Sequence, residues 1–192
     1  MNTANVRDII LSLIGYGTDR QAEFGRTSLQ KVAYFAGLKT NLNLGHRAFY
    51  YGPFSSTVEE ETEALVLSGL INQAVTDLGF VNRRGYPGIR YTYSLTESGR
   101  QRLGAVELQE PDLAADLKKT VDSLFDTIGS LDQGLLSIAA KTYFITDEQG
   151  SSVSFEEIRE LAKQKNWEIN NAQLEKVGTF LVELGLVTLT ED

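Results

Sequence analysis

Residues 56–95 combine a helix-like pattern with two strand-like segments, and this order restricts the fold more than any other feature of the chain. Apolar side chains recur at helical spacing over residues 58–66, and Gly69 suits the end of that helix. A β-prone segment follows, and residues 91–95 alternate between apolar and polar side chains as a half-buried strand does. Residues 82–88 contain Gly, Pro and two Arg, which is typical of a turn. Helix, strand, turn and returning strand together predict a winged-helix unit, an architecture usually associated with DNA binding.

The helix that would enter a DNA groove in such a fold is acidic. It carries Glu59, Glu60, Glu61 and Glu63 and no Lys or Arg. Because DNA is a polyanion, a carboxylate cluster on the reading element repels it. Consecutive helix positions point in different directions and converge poorly on a Mg²⁺ ion, so we expect no metal site here. A solvated face with favourable charge at a helix N-terminus is the simpler interpretation.

Basic residues concentrate after this helix. Residues 79–104 hold five arginines and Glu97 as the single acid; the arginines are Arg83, Arg84, Arg90, Arg100 and Arg102. A wing with arginines can lie along phosphates or enter a minor groove. The same arginines could instead pair with the carboxylates of the acidic helix. Both interpretations stay open, and the five arginines are candidate nucleic-acid contacts.

The N-terminal segment predicts two further helices. Apolar residues between Val6 and Ile14 mark one helix face, and we expect Gly15 and Gly17 to end that helix. A capping-box pattern at residues 27–30 opens the second helix, and another at residues 56–59 opens the acidic one.

The C-terminal half predicts a second helix-turn-helix unit. An apolar helical stripe runs from Leu113 to Ile128, and capping patterns follow at residues 154–157 and at Asn170 or Asn171. Residues 180–187 resemble residues 64–71, since both end an apolar helix with Gly and a β-prone pair. We therefore predict a winged-helix domain over 1–105, a linker helix over 106–130 and a second, acidic helix-turn-helix unit over 131–192.

The third helix of the second unit begins with polar residues that can read base edges. They are Asn171, Gln173 and Lys176, and Asn and Gln pair well with adenine. Such residues are also ordinary helix caps, which is the interpretation that we favour.

The charge and composition of the chain limit the cellular compartments and the partners with which it is compatible. Residues 1–104 hold 11 basic and 9 acidic residues, a net charge of +2, whereas residues 105–192 hold 7 and 17, a net charge of −10. The acidic half is either a solvated surface, a site for a basic partner or a mimic of a polyanion. The chain has no cysteine, no secretory signal and no apolar run near the ~20 residues of a spanning helix, so we expect a cytoplasmic protein without a membrane contact.

Aromatic residues cluster between the second and third helices. Tyr34, Tyr51 and Phe54 belong to this group, and core packing is its simplest explanation. An exposed subset would serve as a protein-binding anchor, because Tyr and Phe are enriched in such patches.

Catalysis has little support in the sequence. His46 is the single histidine, no histidine–carboxylate spacing resembles a metal site, and no phosphate-binding glycine loop is present. We therefore expect a protein that is not an enzyme and that needs no cofactor.

Two short motifs resemble a known family. The run Leu29-Gln30-Lys31, with Tyr34 downstream, is followed by Tyr51-Gly52-Pro53-Phe54-Ser55 and later by Gly69-Leu70-Ile71. This pattern over residues 5–105 resembles the YwgA-like proteins and, more distantly, the Panacea (SocA-like) antitoxin domain. The resemblance implies a largely helical winged-helix-like domain that acts through protein contacts.

From these patterns we predict a mainly α protein with small β wings that works as a non-catalytic regulator or adaptor, antitoxin-like or accessory to a defence system. Its candidate partner contacts are the carboxylates Glu59, Glu60 and Glu63 together with Lys31, Tyr34, Tyr51 and Phe54. The alternative is a DNA-binding transcriptional regulator that uses the basic wing and the second unit, and a homodimer is compatible with either function.

Overall fold

The computed structural model describes residues 5–22, 24–81, 85, 87–128, 133–150 and 152–188. Within these ranges the protein is mainly helical, with two small antiparallel sheets of two strands each. The helices are α1 Val6–Asp19, α2 Arg26–Thr40, α3 Ser56–Leu67, α4 Glu97–Gln109, α5 Pro111–Ile128, α6 Gln133–Gln149, α7 Phe155–Gln164 and α8 Asn171–Glu183. The strands are β1 Arg47–Phe49, β2 Gly52–Phe54, β3 Ile71–Val81 and β4 Pro87–Leu95.

The predicted hairpin after α3 is confirmed. Strands β3 and β4 pair antiparallel from Ile71 opposite Leu95 outward, with a register shift beyond Asp77. Phe24, between α1 and α2, forms a bridge to Tyr93 of β4, whose N–H donates to the Phe24 carbonyl at 2.9 Å. The lateral order is therefore Phe24, β4 and β3, and the base of this long hairpin (residues 71–95) is tied to the helices.

Helix α1 continues through the two glycines that were expected to end it. It runs to Asp19, and both glycines lie inside it and are buried. A Cβ at Gly15 would lie 2.5 Å from the Leu103 side chain, and a Cβ at Gly17 would lie 1.8 Å from the Phe24 ring. The two glycines thus allow side chains of other segments to pack closely against α1. This requirement depends on the tertiary structure, so the positions of the glycines in the sequence do not reveal it.

Helix caps are set by side chains close to the expected ones. Ser55 caps α3 one residue before the predicted box, and Gly25 with Ser28 caps α2 rather than Thr27 with Gln30. Ser154 with Glu157 caps α7, and Asn170 with Gln173 caps α8, as predicted. The difference at α2 arises because Gln30 turns to a distant partner, described below.

One large apolar core runs through both halves of the chain. Leu117, Val121 and Leu124 of α5 are fully buried in it, beside residues of α1, α2, α6 and α8. A second, smaller cluster surrounds Trp167 between α6, α7 and α8. Helix α5 is therefore packed along its apolar stripe, and its burial joins the two halves instead of leaving an exposed connection between them.

Candidate functional site

The two motifs that resemble a known family contact each other in the structure, where a side chain of α2 makes hydrogen bonds with the backbone at the start of α3. Gln30 of α2 donates from Nε2 to the Ser55 carbonyl at 2.9 Å and accepts from the Ser55 N–H at 2.9 Å. The Ser55 hydroxyl donates to the Leu44 carbonyl and accepts from the Val58 N–H at 3.1 Å. One amide side chain thus satisfies both backbone groups of the residue that caps α3, which holds α3 at a defined angle to α2.

Lys31, the next residue, is buried beneath a short hairpin formed by residues 47–54. Its side chain is 2% exposed, and its Nζ donates to the Pro53 carbonyl at 2.6 Å. Among the described residues no carboxylate forms an ion pair with it. Burial, and then the neighbouring Lys141 cation, lower the pKa of Lys31 to about 7.

Gly52 makes this arrangement sterically feasible. Its φ of +104° lies in a region that side chains with a Cβ rarely adopt. A Cβ there would lie 3.3 Å from the Lys31 Nζ and 3.0 Å from the Lys141 Cγ. Gly52 therefore separates two lysine side chains that approach the short hairpin from α2 and α6.

The second half of the chain holds the other side of the short hairpin. The Trp167 indole N–H donates to the Phe49 carbonyl at 2.7 Å, and the Ser137 hydroxyl donates to the Tyr51 carbonyl at 2.9 Å. The Lys141 ammonium lies 5.9 Å from the centroid of the Trp167 ring, within the range of a cation–π contact. The short hairpin therefore makes hydrogen bonds with both halves of the chain.

His46 and Tyr34 extend this cluster inward. The two rings lie 5.2 Å apart, and the His46 Nε2 lies 3.1 Å from the Gln30 carbonyl. Burial lowers the pKa of His46 to about 4. The hydrogen bond to the Gln30 carbonyl raises this pKa by a smaller amount, and the charge of Lys31 lowers it slightly further. At neutral pH the ring is therefore uncharged, and its Nε2–H is the donor to Gln30. Burial also raises the pKa of Tyr34 above its ordinary value.

The structure divides the predicted partner contacts into exposed and buried residues. Lys31 and Tyr34 lie in the core at 2% and 6% exposure, so neither offers a surface to a partner. They are buried because the short hairpin and α6 cover the face of α2 that the motif occupies. Tyr51 is 72% exposed and Phe54 is half-buried.

The carboxylates of α3 also differ from one another. Glu59 forms an ion pair with Arg26, and Glu61 forms one with Arg7 at 2.6 Å. Glu60 and Glu63 are exposed. Arginines of α1 and α2 therefore pair with this helix.

The candidate nucleic-acid contacts that the structure describes differ in their surroundings. Arg83 and Arg84 lie outside the described residues. Arg90 and Arg100 are exposed, whereas Arg102 donates to both carboxylate oxygens of Asp8 at 2.9 and 2.6 Å. Such a two-bond ion pair occupies the guanidinium in holding α4 against α1.

The polar residues of α8 lie in the other half of the chain. Asn171 accepts a hydrogen bond from Arg159 at 3.1 Å, and Gln173 accepts one from the Asn170 N–H at 3.0 Å. Lys176 is exposed. Gln173 therefore serves as a cap, and Asn171 faces a neighbouring cation.

The long hairpin carries several exposed apolar side chains. Opposite residues share a face, so the side that buries Ile71 and Tyr93 at the base continues outward as Val75 and Ile89. These two side chains are 58% and 44% exposed, and Phe80 near the tip is 54% exposed. The ring of Phe80 lies against Gly88, on the opposite side of the hairpin from Ile89, so we call the surface formed by Val75 and Ile89 the hairpin face.

Sequence patterns missed three residues that hold the short hairpin. Ser137 and Lys141 carry no local motif, and the only signal for Trp167 is that it is the single tryptophan of the chain. Their roles depend on contacts across more than 80 residues of sequence, with Trp167 and Phe49 separated by 118.

In comparisons with known proteins, neither a protein-family model nor a curated protein gave a match to this sequence. The YwgA-like resemblance therefore stays a prediction that the motif residues carry alone. Within the described ranges, no helix combines the length and the apolar character needed to cross a bilayer.

Proposed function

We propose that this protein is a winged-helix adaptor or regulator that acts by binding another protein, in an antitoxin-like or defence-accessory role. The observation that carries this proposal is the hairpin face. Val75 and Ile89 continue the buried base of the sheet outward as exposed apolar side chains, with Gln73 and Asp77 on the same side. Exposed apolar side chains bordered by polar ones are characteristic of a protein-binding site.

The chain architecture supports the winged-helix assignment. Three helices precede the long hairpin, and Phe24 lies beside β4, which lies beside β3. This is the order in which a winged-helix sheet is built. The hairpin would then be the wing, used here for its apolar side chains.

The electrostatics favour a protein partner over DNA. The exposed carboxylates of α3, Glu60 and Glu63, would face the phosphates if this helix entered a groove.

The test compares two matched surface variants as baits in cells of the source organism. The hairpin variant replaces Val75 and Ile89 with Ser, and the control replaces Leu67 and Leu108, which are 88% and 86% exposed elsewhere. We expect one protein to copurify with the wild type and the control but not with the hairpin variant. Sedimentation velocity of the purified proteins would reveal whether that partner is a second copy of the chain.

A DNA-binding experiment tests the alternative. Wild-type protein should bind random duplex weakly, with affinity falling steeply as salt rises. Nanomolar binding to one duplex sequence at ~150 mM salt, altered by substitutions in α3 or α8, would show a DNA-binding regulator instead. Retention of the same copurifying protein by the hairpin variant would exclude the hairpin face as its site.

A further inference from the structure

A groove in the second half of the chain is lined by two non-helical segments, residues 152–154 and residues 186–188. Its volume is about 1070 Å³. Ile158, Leu174 and Leu181 line it with buried apolar side chains, and Phe155 and Val187 are half-buried at its sides. The groove is therefore apolar at its base and open to solvent.

The first half of the chain has a strand in the corresponding place. There Phe24, between α1 and α2, pairs with β4, and β4 pairs with β3, which follows α3. In the second half, residues 152–154 lie between α6 and α7, and residues 186–188 follow α8. The described residues provide no strand that pairs with either segment.

The backbone has the same geometry at the end of the third helix in each half, α3 in the first and α8 in the second. Gly69 and Gly185 have φ values of +69° and +66°. The N–H of Leu70 donates to the Leu65 carbonyl at 3.0 Å, and that of Leu186 donates to the Leu181 carbonyl at 2.9 Å. Residues 186–188 thus start in the way that β3 starts, and a strand beside them would take the place of β4.

Hydrogen-bonding groups along the groove are open. Val153 and Val187 make no backbone hydrogen bond with any described residue. The Thr142 side chain is 4% exposed and lines the groove, yet its Oγ1 has no hydrogen-bond partner among the described residues. In the described part of the chain, this hydroxyl and the backbone groups of Val153 and Val187 are the groups that an added strand would satisfy.

The charge of the groove indicates which strand would fit. Asp147 and Glu157 are among its lining residues, and the described lining includes no Lys or Arg. We propose that the groove receives an extended segment of a partner protein, with apolar side chains at alternate positions facing the base and Lys or Arg near Asp147. This site is separate from the hairpin face, so either can exist without the other.

A synthetic peptide that mimics the missing strand tests this inference. The probe has the sequence of residues 88–95, which fill the corresponding place in the first half, with one lysine added at each end. Titrated into the isotope-labelled full chain, it should give saturable NMR shifts around the groove. Amide exchange at Val153 and Val187 should slow, because added strands protect backbone N–H groups.

Matched variants separate strand addition from general attraction. Asp147→Lys should weaken binding by about tenfold or more, equivalent to about 1.4 kcal/mol, whereas Glu156→Lys, an exposed neighbour outside the lining, should change it far less. A peptide carrying Thr92→Pro and Ser94→Pro should not bind, because it lacks two backbone donors. The hairpin variant should bind as the wild type does, which separates this site from the proposed function.

Four results would overturn the inference. They are the absence of saturable shifts, equal binding of the proline peptide, shifts confined to the hairpin face, and protection of Val187 by concentration-dependent self-association without peptide. The second would indicate a non-strand ligand, and the last would indicate a second copy of the chain.

Discussion

The ammonium group of Lys31 lies where a charge is costly to bury. A buried cation destabilises the folded state unless an anion or several dipoles compensate it. Here its described hydrogen-bond partner is one backbone carbonyl, and its charged neighbour is another lysine. The folded protein therefore releases this proton near neutral pH, while the unfolded chain keeps it to about 10.5.

This difference in proton affinity predicts a pH-dependent stability. Above about pH 7 the unfolded state binds one more proton at Lys31 than the folded state, so the free energy of unfolding rises with pH. Denaturant titrations between about pH 7 and about pH 9, below the ordinary tyrosine pKa, should show this rise in the wild type. Lys31→Met should reduce it, and burial, which also lowers the pKa of Lys141, should leave a smaller rise.

The same titrations contain an internal control. His46 has a pKa lowered to about 4 in the folded state, against 6.5 in the unfolded chain, so stability should also rise with pH between those values. Lys31→Met should keep that second slope, since it leaves the imidazole buried. A wild-type protein whose stability is constant from neutral to mildly alkaline pH would contradict a buried, easily deprotonated Lys31.

At the scale of single elements, tertiary packing overrides helix propensity in α1. Ala is favoured over Gly in a helix by about 1 kcal/mol, yet Gly17→Ala should destabilise the protein by about 1–3 kcal/mol, because its Cβ would overlap the Phe24 ring. The matched control is Gly104→Ala in α4, where no atom lies within 4 Å of the added Cβ. It should stabilise the protein by about 0.5–1 kcal/mol. Equal stabilisation by both changes, measured by thermal unfolding, would mean that Phe24 repacks freely.

The whole molecule should unfold as one unit because α5 joins its halves. Leu117→Ala opens a cavity in the shared core and should cost about 2–5 kcal/mol, whereas Leu108→Ala, at 86% exposure, should change stability by less than about 0.5 kcal/mol. Trp167 fluorescence reports on the second half and far-UV circular dichroism on all helices. The two transitions should coincide in wild type and variant. Separate transitions would show that the halves are independent.

Elements with strong local patterns could be predicted, and their exact ends less well. The long hairpin, the caps at Ser154 and Asn170 and the apolar stripe of α5 follow from residues within one turn or one strand. The continuation of α1 through Gly17 could not be predicted from local sequence. A glycine is needed there because the ring of Phe24, which lies outside α1, packs against the backbone at Gly17. The carboxylates of α3 were found as a cluster, but the arginines that pair with Glu59 and Glu61 were not.

By itself the sequence determined the order of the helices and the long hairpin and the acidic character of the C-terminal half, since periodicity, capping and charge depend on neighbouring residues. Only the tertiary structure decided that Lys31 is buried, that Trp167 donates a hydrogen bond to the short hairpin and that a groove lies beside residues 186–188. The physical reason is that the partners of these groups lie from 22 to 118 residues away along the chain. Whether a polar side chain is buried or exposed depends on which distant element covers it.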